Sequence, residues 1–221
     1  MSEQDDDRTV AFADLAGFTA LTEAHGDTSA ANVAERFVEL TVALLPDDAR
    51  LVKTIGDAVM VTTTNPHTGL DLGLELLRAV ENEPDFPGIR VGLHHGPIIE
   101  RNGDLFGATV NIAARLTAHA HVGQLLTTEI IATLVRQRND MSTIDLGATV
   151  LKNVTEAVQI YEVRDHTPRP TSQVLDPVCR MFVDADAAPA RLPWAQRVWH
   201  FCSFECAAAF AQSPGRYESA Q

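Results

Sequence analysis

The tightest constraint on the fold is a short break near the middle of the first half of the chain. Residues 50–54 and 58–63 are β-rich apolar runs joined through Ile55-Gly-Asp57. So tight a connection makes the two runs partners in one antiparallel hairpin. Helical patterns flank it. Before the hairpin, Val33, Phe37, Leu40 and Leu44 recur at helical intervals within residues 29–45, stopped by Pro46. After it, Leu70, Leu74, Leu77 and Val80 do the same within residues 66–83. Further out lie two strand-like runs, residues 9–15 and 89–94. Strand, helix, hairpin, helix, strand is the order of a ferredoxin-like α+β sandwich. Such a sandwich covers one sheet face with helices and leaves the other for a ligand or partner. The remainder reads as additions: a turn at Gly96-Pro97 with a short strand from Ile98, a helix over 109–120, a strand over 124–127, a helix over 129–137 and a last strand over 158–163.

Charge and cysteine usage narrow the setting. A formal charge of −13 argues against nucleic acid or an anionic membrane as partner. It would also repel a polyphosphate, so any nucleotide site must bring its own local cations. No apolar run is long enough to span a bilayer, and Met1-Ser-Glu-Gln-Asp-Asp-Asp-Arg8 is acidic, unlike a signal peptide, so the expected location is cytoplasmic. From Thr167 onward five Arg balance five acidic residues, so the acidic excess belongs to residues 1–166. All three Cys and both Trp lie in that later stretch. The seam is Pro-rich, His166-Thr-Pro-Arg-Pro-Thr-Ser-Gln173. Three units are expected: a first domain over 1–165, a linker over 166–173 and a small Cys-containing α+β module over 174–221. The first domain is expected to work without the module, and the thiols to lie away from its chemistry.

Two carboxylates carry the chemistry. Asp14 ends the apolar run that breaks into Gly17-Phe-Thr19, and Asp57 sits in the hairpin turn. Each alone reads as a cap or a turn residue. Together, two strand-end carboxylates can hold hard cations against a nucleoside triphosphate. The N–H groups of Ala16, Gly17, Phe18 and Thr19, at a helix start, suit its phosphates. Asn111 and Arg115, spaced i, i+4, share one helix face. His94 and His95 are adjacent and point to opposite faces of a strand, and neither is expected to bind metal.

Five segments carry a resemblance: Phe12-Ala-Asp-Leu-Ala-Gly-Phe-Thr19, Lys53-Thr-Ile-Gly-Asp57, Arg90-Val-Gly-Leu-His-His-Gly96, the block from Gly103 to Arg115, and the block from Leu151 to Glu162. In this order they resemble a class III adenylate/guanylate cyclase catalytic domain over roughly residues 8–165. The resemblance implies that Asp14 and Asp57 hold two Mg²⁺ or Mn²⁺ ions per site. It implies that Asn111 orients the ribose and Arg115 binds the phosphate, and that Lys53 and Asp104 select the purine. Lys53 donates to adenine N1 and Asp104 accepts from the 6-amino group, whereas guanine presents the opposite pattern, so ATP is favoured over GTP. It also implies a head-to-tail homodimer with two shared sites, the Asp pair from one protomer and Lys53, Asp104, Asn111 and Arg115 from the other.

The end of the chain, with Asp176-Pro-Val-Cys-Arg-Met181 and Trp199-His-Phe-Cys-Ser-Phe-Glu-Cys206, resembles a YHS (TRASH-like) domain. Arg180 stands where that family usually has Gly. Cys179, Cys202 and Cys206 suit a soft or borderline ion, Zn²⁺ or Cu⁺, with His200 or a water completing the set. The other reading makes them small core residues beside Trp194, Trp199 and Phe201. The expected function is an adenylate cyclase. The alternatives are a guanylate or relaxed-specificity cyclase, and a metal-sensing or scaffold protein whose fold only binds nucleotide.

Overall fold

The computed structural model describes residues 6–152, 154, 156–168 and 172–218. The acidic start before Asp6, Asn153 and Thr155 of the Leu151–Glu162 block, residues 169–171 of the Pro-rich stretch and residues 219–221 lie outside it. In chain order the elements are β1 (Asp6–Leu15), α1 (Phe18–His25), α2 (Asp27–Ala43), β2 (Ala49–Ile55), β3 (Ala58–Thr63), α3 (Pro66–Glu81), β4 (Ile89–Arg101), β5 (Asp104–Phe106), α4 (Ala108–His119), β6 (Leu125–Thr127), α5 (Glu129–Val135), β7 (Met141–Thr149) and β8 (Val158–Asp165). The C-terminal module follows with β9 (Gln173–Leu175), β10 (Phe182–Asp184), β11 (Ala190–Trp194), β12 (Arg197–Phe201), α6 (Phe204–Gln212) and α7 (Gly215–Glu218).

The hairpin forms as the sequence requires: Ile55 pairs with Ala58 across Gly56, whose φ of 61° is in the left-handed region where glycine is cheap. The main sheet runs β2-β3-β1-β4-β6-β8-β7, with β5 paired to β4. Its first four strands have the order expected of the ferredoxin-like unit, and β1 lies antiparallel to both β3 and β4.

Side-chain alternation divides the sheet into two packed faces. Ala11, Ala13, Leu15, Val59 and Val61 meet Phe37 of α2, Leu70, Leu74 and Leu77 of α3, and Ile131 and Val135 of α5 in the main core. Val10, Phe12 and Met60 face the other way, toward Ala113 of α4. The second face is thus partly covered rather than open. Gly92 lets α4 settle there, since a Cβ on it would lie 2.3 Å from the backbone nitrogen of Thr117.

Three differences from the sequence expectation have physical causes. Strand β4 runs straight through Gly96-Pro97 instead of turning, and there its only ladder partner is β1, through Asp7. Proline is tolerated where a strand has a partner on one side alone. Asn102 and Gly103, with φ of 53° and 80°, form the two-residue turn into β5, a hairpin signal that the sequence carried. Strand β7 has no sequence signature, because only Met141 among its residues is buried and a bulge between Asp145 and Gly147 interrupts its alternation.

The module does not stand apart. Gly88 N–H donates to the Arg180 carbonyl and Phe182 N–H to the Phe86 carbonyl, both at 2.9 Å, and Pro87 bridges Met181. Leu21 of α1 and Ala30 of α2 share an apolar cluster with Val178, Met181, Trp199, Phe201 and Phe210. The Pro-rich seam in the sequence is therefore no boundary of packing.

Candidate functional site

The end of β1 and the hairpin turn bring the two carboxylates together. Asp14 is opposite Ala58 in the ladder, next to Asp57, and Leu15 N–H donates to the Asp57 carbonyl at 3.3 Å. Burial, and then the charge of Asp14, push the Asp57 carboxyl above its ordinary range. A divalent cation beside them would offset the cost of keeping the Asp57 carboxylate charged there, and Mg²⁺ or Mn²⁺ fits such oxygen ligands. Asp14 already has one cation. Arg90 lies directly opposite it across the β1/β4 ladder and donates from Nε at 2.8 Å and Nη2 at 2.5 Å to Asp14 Oδ2. The sequence motif contained Arg90 but assigned it no role. The signal was positional: it opens the strand antiparallel to the one that Asp14 closes.

The turn after Asp14 is shaped by Gly17, with φ 73° just ahead of α1. Ala16 was expected to offer its N–H to phosphate. Instead that N–H donates to the Gly88 carbonyl at 2.8 Å, so Ala16 anchors the turn. Gly17, Phe18 and Thr19 remain at the helix start, where N–H groups have no intrahelical acceptor; the first helical bond is made by Leu21 N–H to the Gly17 carbonyl.

Lys53 and Asp104 come together from strands β2 and β5. Lys53 Nζ donates to both carboxylate oxygens of Asp104, at 2.7 and 2.6 Å, and Leu105 N–H holds Oδ1 at 2.8 Å. The Lys53 hydrogen bond holds the Asp104 carboxyl below its usual range. Lys53 is opposite Met60, which is opposite Phe12, two residues from Asp14 along β1. At about 4.8 Å between strands and about 3.4 Å per residue, Lys53 and Asp14 lie roughly 12 Å apart on the sheet. Asn111 is exposed and Arg115 half-buried on α4, the helix packed over Val10, Phe12 and Met60. By strand alternation Asp14 shares the face of Val10 and Phe12, and Lys53 that of its ladder partner Met60, so both are on the α4-bearing side of the sheet. His94 and His95 bond Thr128 and Thr9, as strand residues with structural partners.

The thiols do not lie away from this site. Arg180, with φ 63°, occupies a left-handed position suited to glycine, at a cost of about 1–2 kcal/mol. Its aliphatic stem covers Gly17 so closely that a Cβ there would meet Arg180 Cγ at 2.7 Å. Arg180 and Arg90 line one cavity of about 480 Å³ with Ala16, Gly17 and Leu175. Beyond α1, Cys179 Sγ is 3.4 Å from Cys202 Sγ, and Cys202 Sγ is 3.7 Å from Cys206 Sγ. Helix α6 starts at its Ser203 cap, whose Oγ accepts from Cys206 N–H at 3.1 Å. The residue beside the thiols is not His200, which lies on β12 outside the cluster, but His25, the last residue of α1. Nothing in the sequence marks it, because it is 177 residues from Cys202.

Comparison with known proteins identifies the family. Residues 1–164 match the family described as the adenylate and guanylate cyclase catalytic domain. A pH-sensitive adenylate cyclase of Mycobacterium tuberculosis is 39% identical over 56% of this chain and 31% of its own length. An adenylate cyclase of Streptomyces griseus is 42% identical over 50% of this chain and 28% of its own. The chain spans about a third of the length of these curated relatives. A crystal structure of an adenylate/guanylate cyclase/hydrolase from Silicibacter pomeroyi superposes with a TM-score of 0.64 at 28% identity, over 71% of this chain and 95% of that one.

Proposed function

The chain belongs to the adenylate and guanylate cyclase catalytic-domain family, and on that premise we propose that it converts ATP to 3′,5′-cyclic AMP and pyrophosphate. The observation that carries the choice of ATP is the Lys53–Asp104 pair, a donor and an acceptor held 2.6–2.7 Å apart where the family reads the purine edge. Adenine opens this pair and takes a hydrogen bond from Lys53 at N1 while giving one from its 6-amino group to Asp104. Guanine leaves both mispaired, at about 1–3 kcal/mol each.

Asp14 and Asp57 would hold two Mg²⁺ or Mn²⁺ ions, which when bound acidify the ribose 3′-hydroxyl and neutralise the departing pyrophosphate. In the reaction the 3′-oxygen bonds to the α-phosphorus, the bond to the β-phosphate oxygen breaks, and the hydroxyl proton passes to solvent. Arg115 stabilises charge on the phosphoryl group and Asn111 holds the ribose. Gly17, Phe18 and Thr19 turn their N–H groups to the β- and γ-phosphates. Arg90 and Arg180 meet the need for local cations in a chain of this net charge. Arg90, now on Asp14, would be free to turn to the triphosphate if cations took over the Asp14 carboxylate.

The active form is a head-to-tail homodimer with two shared sites, because an extended purine nucleoside triphosphate outreaches the roughly 12 Å between Asp14 and Lys53 within one protomer. The segment around Cys179, Cys202 and Cys206 is read as a YHS-like metal-binding module. No described helix is long and apolar enough to cross a membrane.

The test is product formation from mixed ATP and GTP by the purified chain with Mn²⁺ or Mg²⁺, followed by chromatography. Cyclic AMP should dominate and vanish with chelator. Asp14→Ala and Asp57→Ala should each lower turnover by ~10³-fold, as loss of several kcal/mol of metal-supplied stabilisation requires. Predominant cyclic GMP, or no turnover by the wild-type chain, would overturn the assignment.

A further inference from the structure

We propose that His25, Cys179, Cys202 and Cys206 form one tetrahedral zinc site that clips helix α1 of the catalytic region to the C-terminal module. The ligand atoms of these four residues all lie within 4.8 Å of one another. The finer distances fit a tetrahedral zinc centre. A tetrahedron with Zn–S bonds of about 2.3 Å and a Zn–N bond of about 2.0 Å has sulfur–sulfur edges of about 3.8 Å and sulfur–nitrogen edges of about 3.5 Å. The thiols stand 3.4 Å and 3.7 Å apart, and His25 Nε2 is 3.5 Å from Cys202 Sγ and 3.8 Å from Cys206 Sγ. Packing alone gives no reason for an imidazole nitrogen to converge on three sulfurs. Three sulfurs and one nitrogen in a closed, largely buried set are the donors of a structural zinc site, with no open position for a substrate.

The surroundings are built to hold this arrangement. The carboxylate of Asp176 is fully buried and accepts from Val178 N–H at 2.7 Å, Cys179 N–H at 3.4 Å and Cys202 N–H at 2.8 Å. One carboxylate thereby fixes the backbone of two ligand-bearing segments that are distant in sequence. The third, Cys206, is set by the Ser203 cap one turn into α6. The fourth enters from α1, where Gly26 N–H closes the last turn on the Thr22 carbonyl at 2.8 Å behind His25.

The placement has a consequence for catalysis, which rests on the cyclase reading. Helix α1 is eight residues, about 12 Å long. Its first residues are Phe18 and Thr19, and its last is the zinc ligand. On the module side, Arg180 follows the ligand Cys179 directly and covers Gly17. Zinc at the far end therefore holds both walls of the phosphate turn, α1 and the Cys179–Arg180 corner, in register. Loss of zinc should loosen that turn and lower turnover without touching Asp14, Asp57 or the purine pair.

The full-length chain, reduced and freed of metal, should bind about one equivalent of Zn²⁺, and Co²⁺ in its place should give the visible spectrum of a tetrahedral thiolate site. His25→Ala should weaken zinc binding at least ~10-fold, His25→Cys should restore it, and His200→Ala should leave it unchanged. Hydrogen exchange in residues 18–25 should slow on adding zinc to the wild type and not to His25→Ala. None of these readouts needs nucleotide, so they stand or fall apart from the cyclase assignment. The proposal is overturned if reduced protein binds no zinc, or if the isolated protein carries a Cys179–Cys202 disulfide that excludes metal. It is equally overturned if His25→Ala binds zinc as tightly as wild type, which would leave a three-cysteine site that does not reach α1.

Discussion

On the two proposals above, the ends of helix α1 serve opposite kinds of cation. At its start, Asp14 and Asp57 offer hard oxygens next to a cavity that Arg90 and Arg180 line. At its end, His25 meets three thiols, two of them fully buried, around a carboxylate that is itself spent on backbone N–H groups. An open oxygen site keeps room for a substrate and exchanges its ions, whereas a closed sulfur site spends every ligand on one ion and serves rigidity. If both proposals hold, one short helix carries a reactive end and a fixed end, and the fixed end sets where the reactive one stands.

The strongest way to break the comparison is to separate the sites by mutation. Arg115→Ala should cost turnover by on the order of 10³-fold while zinc content stays at one per chain. Mixing it with Asp57→Ala, also inactive, should restore one intact site per mixed dimer, read as partial recovery of cyclic AMP formation. No recovery despite demonstrated subunit exchange would remove the shared-site geometry.

Stability probes the fixed end. Leu21 is fully buried between α1 and the module, so Leu21→Ala should destabilise the chain by about 2–5 kcal/mol, measured by denaturant unfolding. A loss under ~1 kcal/mol would show that α1 is not clamped by the module. Deleting residues 174–221 should likewise expose Leu21 and Ala30, so the shortened chain is expected to be less stable than the whole.

A smaller effect is expected at the base edge. Lys53→Glu with Asp104→Cys should move preference from ATP toward GTP by about 1–3 kcal/mol per reversed hydrogen bond, read from competing product formation, with zinc content unaltered. A double variant that still strictly prefers ATP would place base selection elsewhere.

The smallest is a pH effect remote from both cation sites. Burial, and then the neighbouring His95, hold His94 down at about 4 from its ordinary 6.5. The folded chain keeps it neutral where the unfolded chain has taken up a proton. Its contribution is therefore fully present above 6.5 and is lost as pH falls toward 4. His94→Asn should flatten the fall in stability across that window, seen in melts at a series of pH values. An unchanged slope would mean that other groups dominate it.

Much of the catalytic region was legible because its signals are local. The hairpin at Ile55–Ala58, the proline-stopped helix after Val33 and Phe37, and the carboxylate at the end of an apolar run each follow from a few neighbouring residues. Strand β7 was not legible because a half-exposed edge strand has little alternation to show. The three thiols stood out by residue type and as part of a family-like pattern, whereas the start of α6 at the Ser203 cap shows only in the structure.

By itself, then, the sequence determined the ferredoxin-like order of elements, the family, and which side chains have chemistry to offer, since these depend on spacing along the chain. The tertiary structure alone decided who meets whom. It set Arg90 against Asp14 across a ladder, committed the Ala16 N–H to Gly88, laid Arg180 over Gly17 and brought His25 to thiols 177 residues away. The physical reason is that such contacts arise from burying the apolar faces of α1 and the module against each other, and no local periodicity records which distant faces will pair.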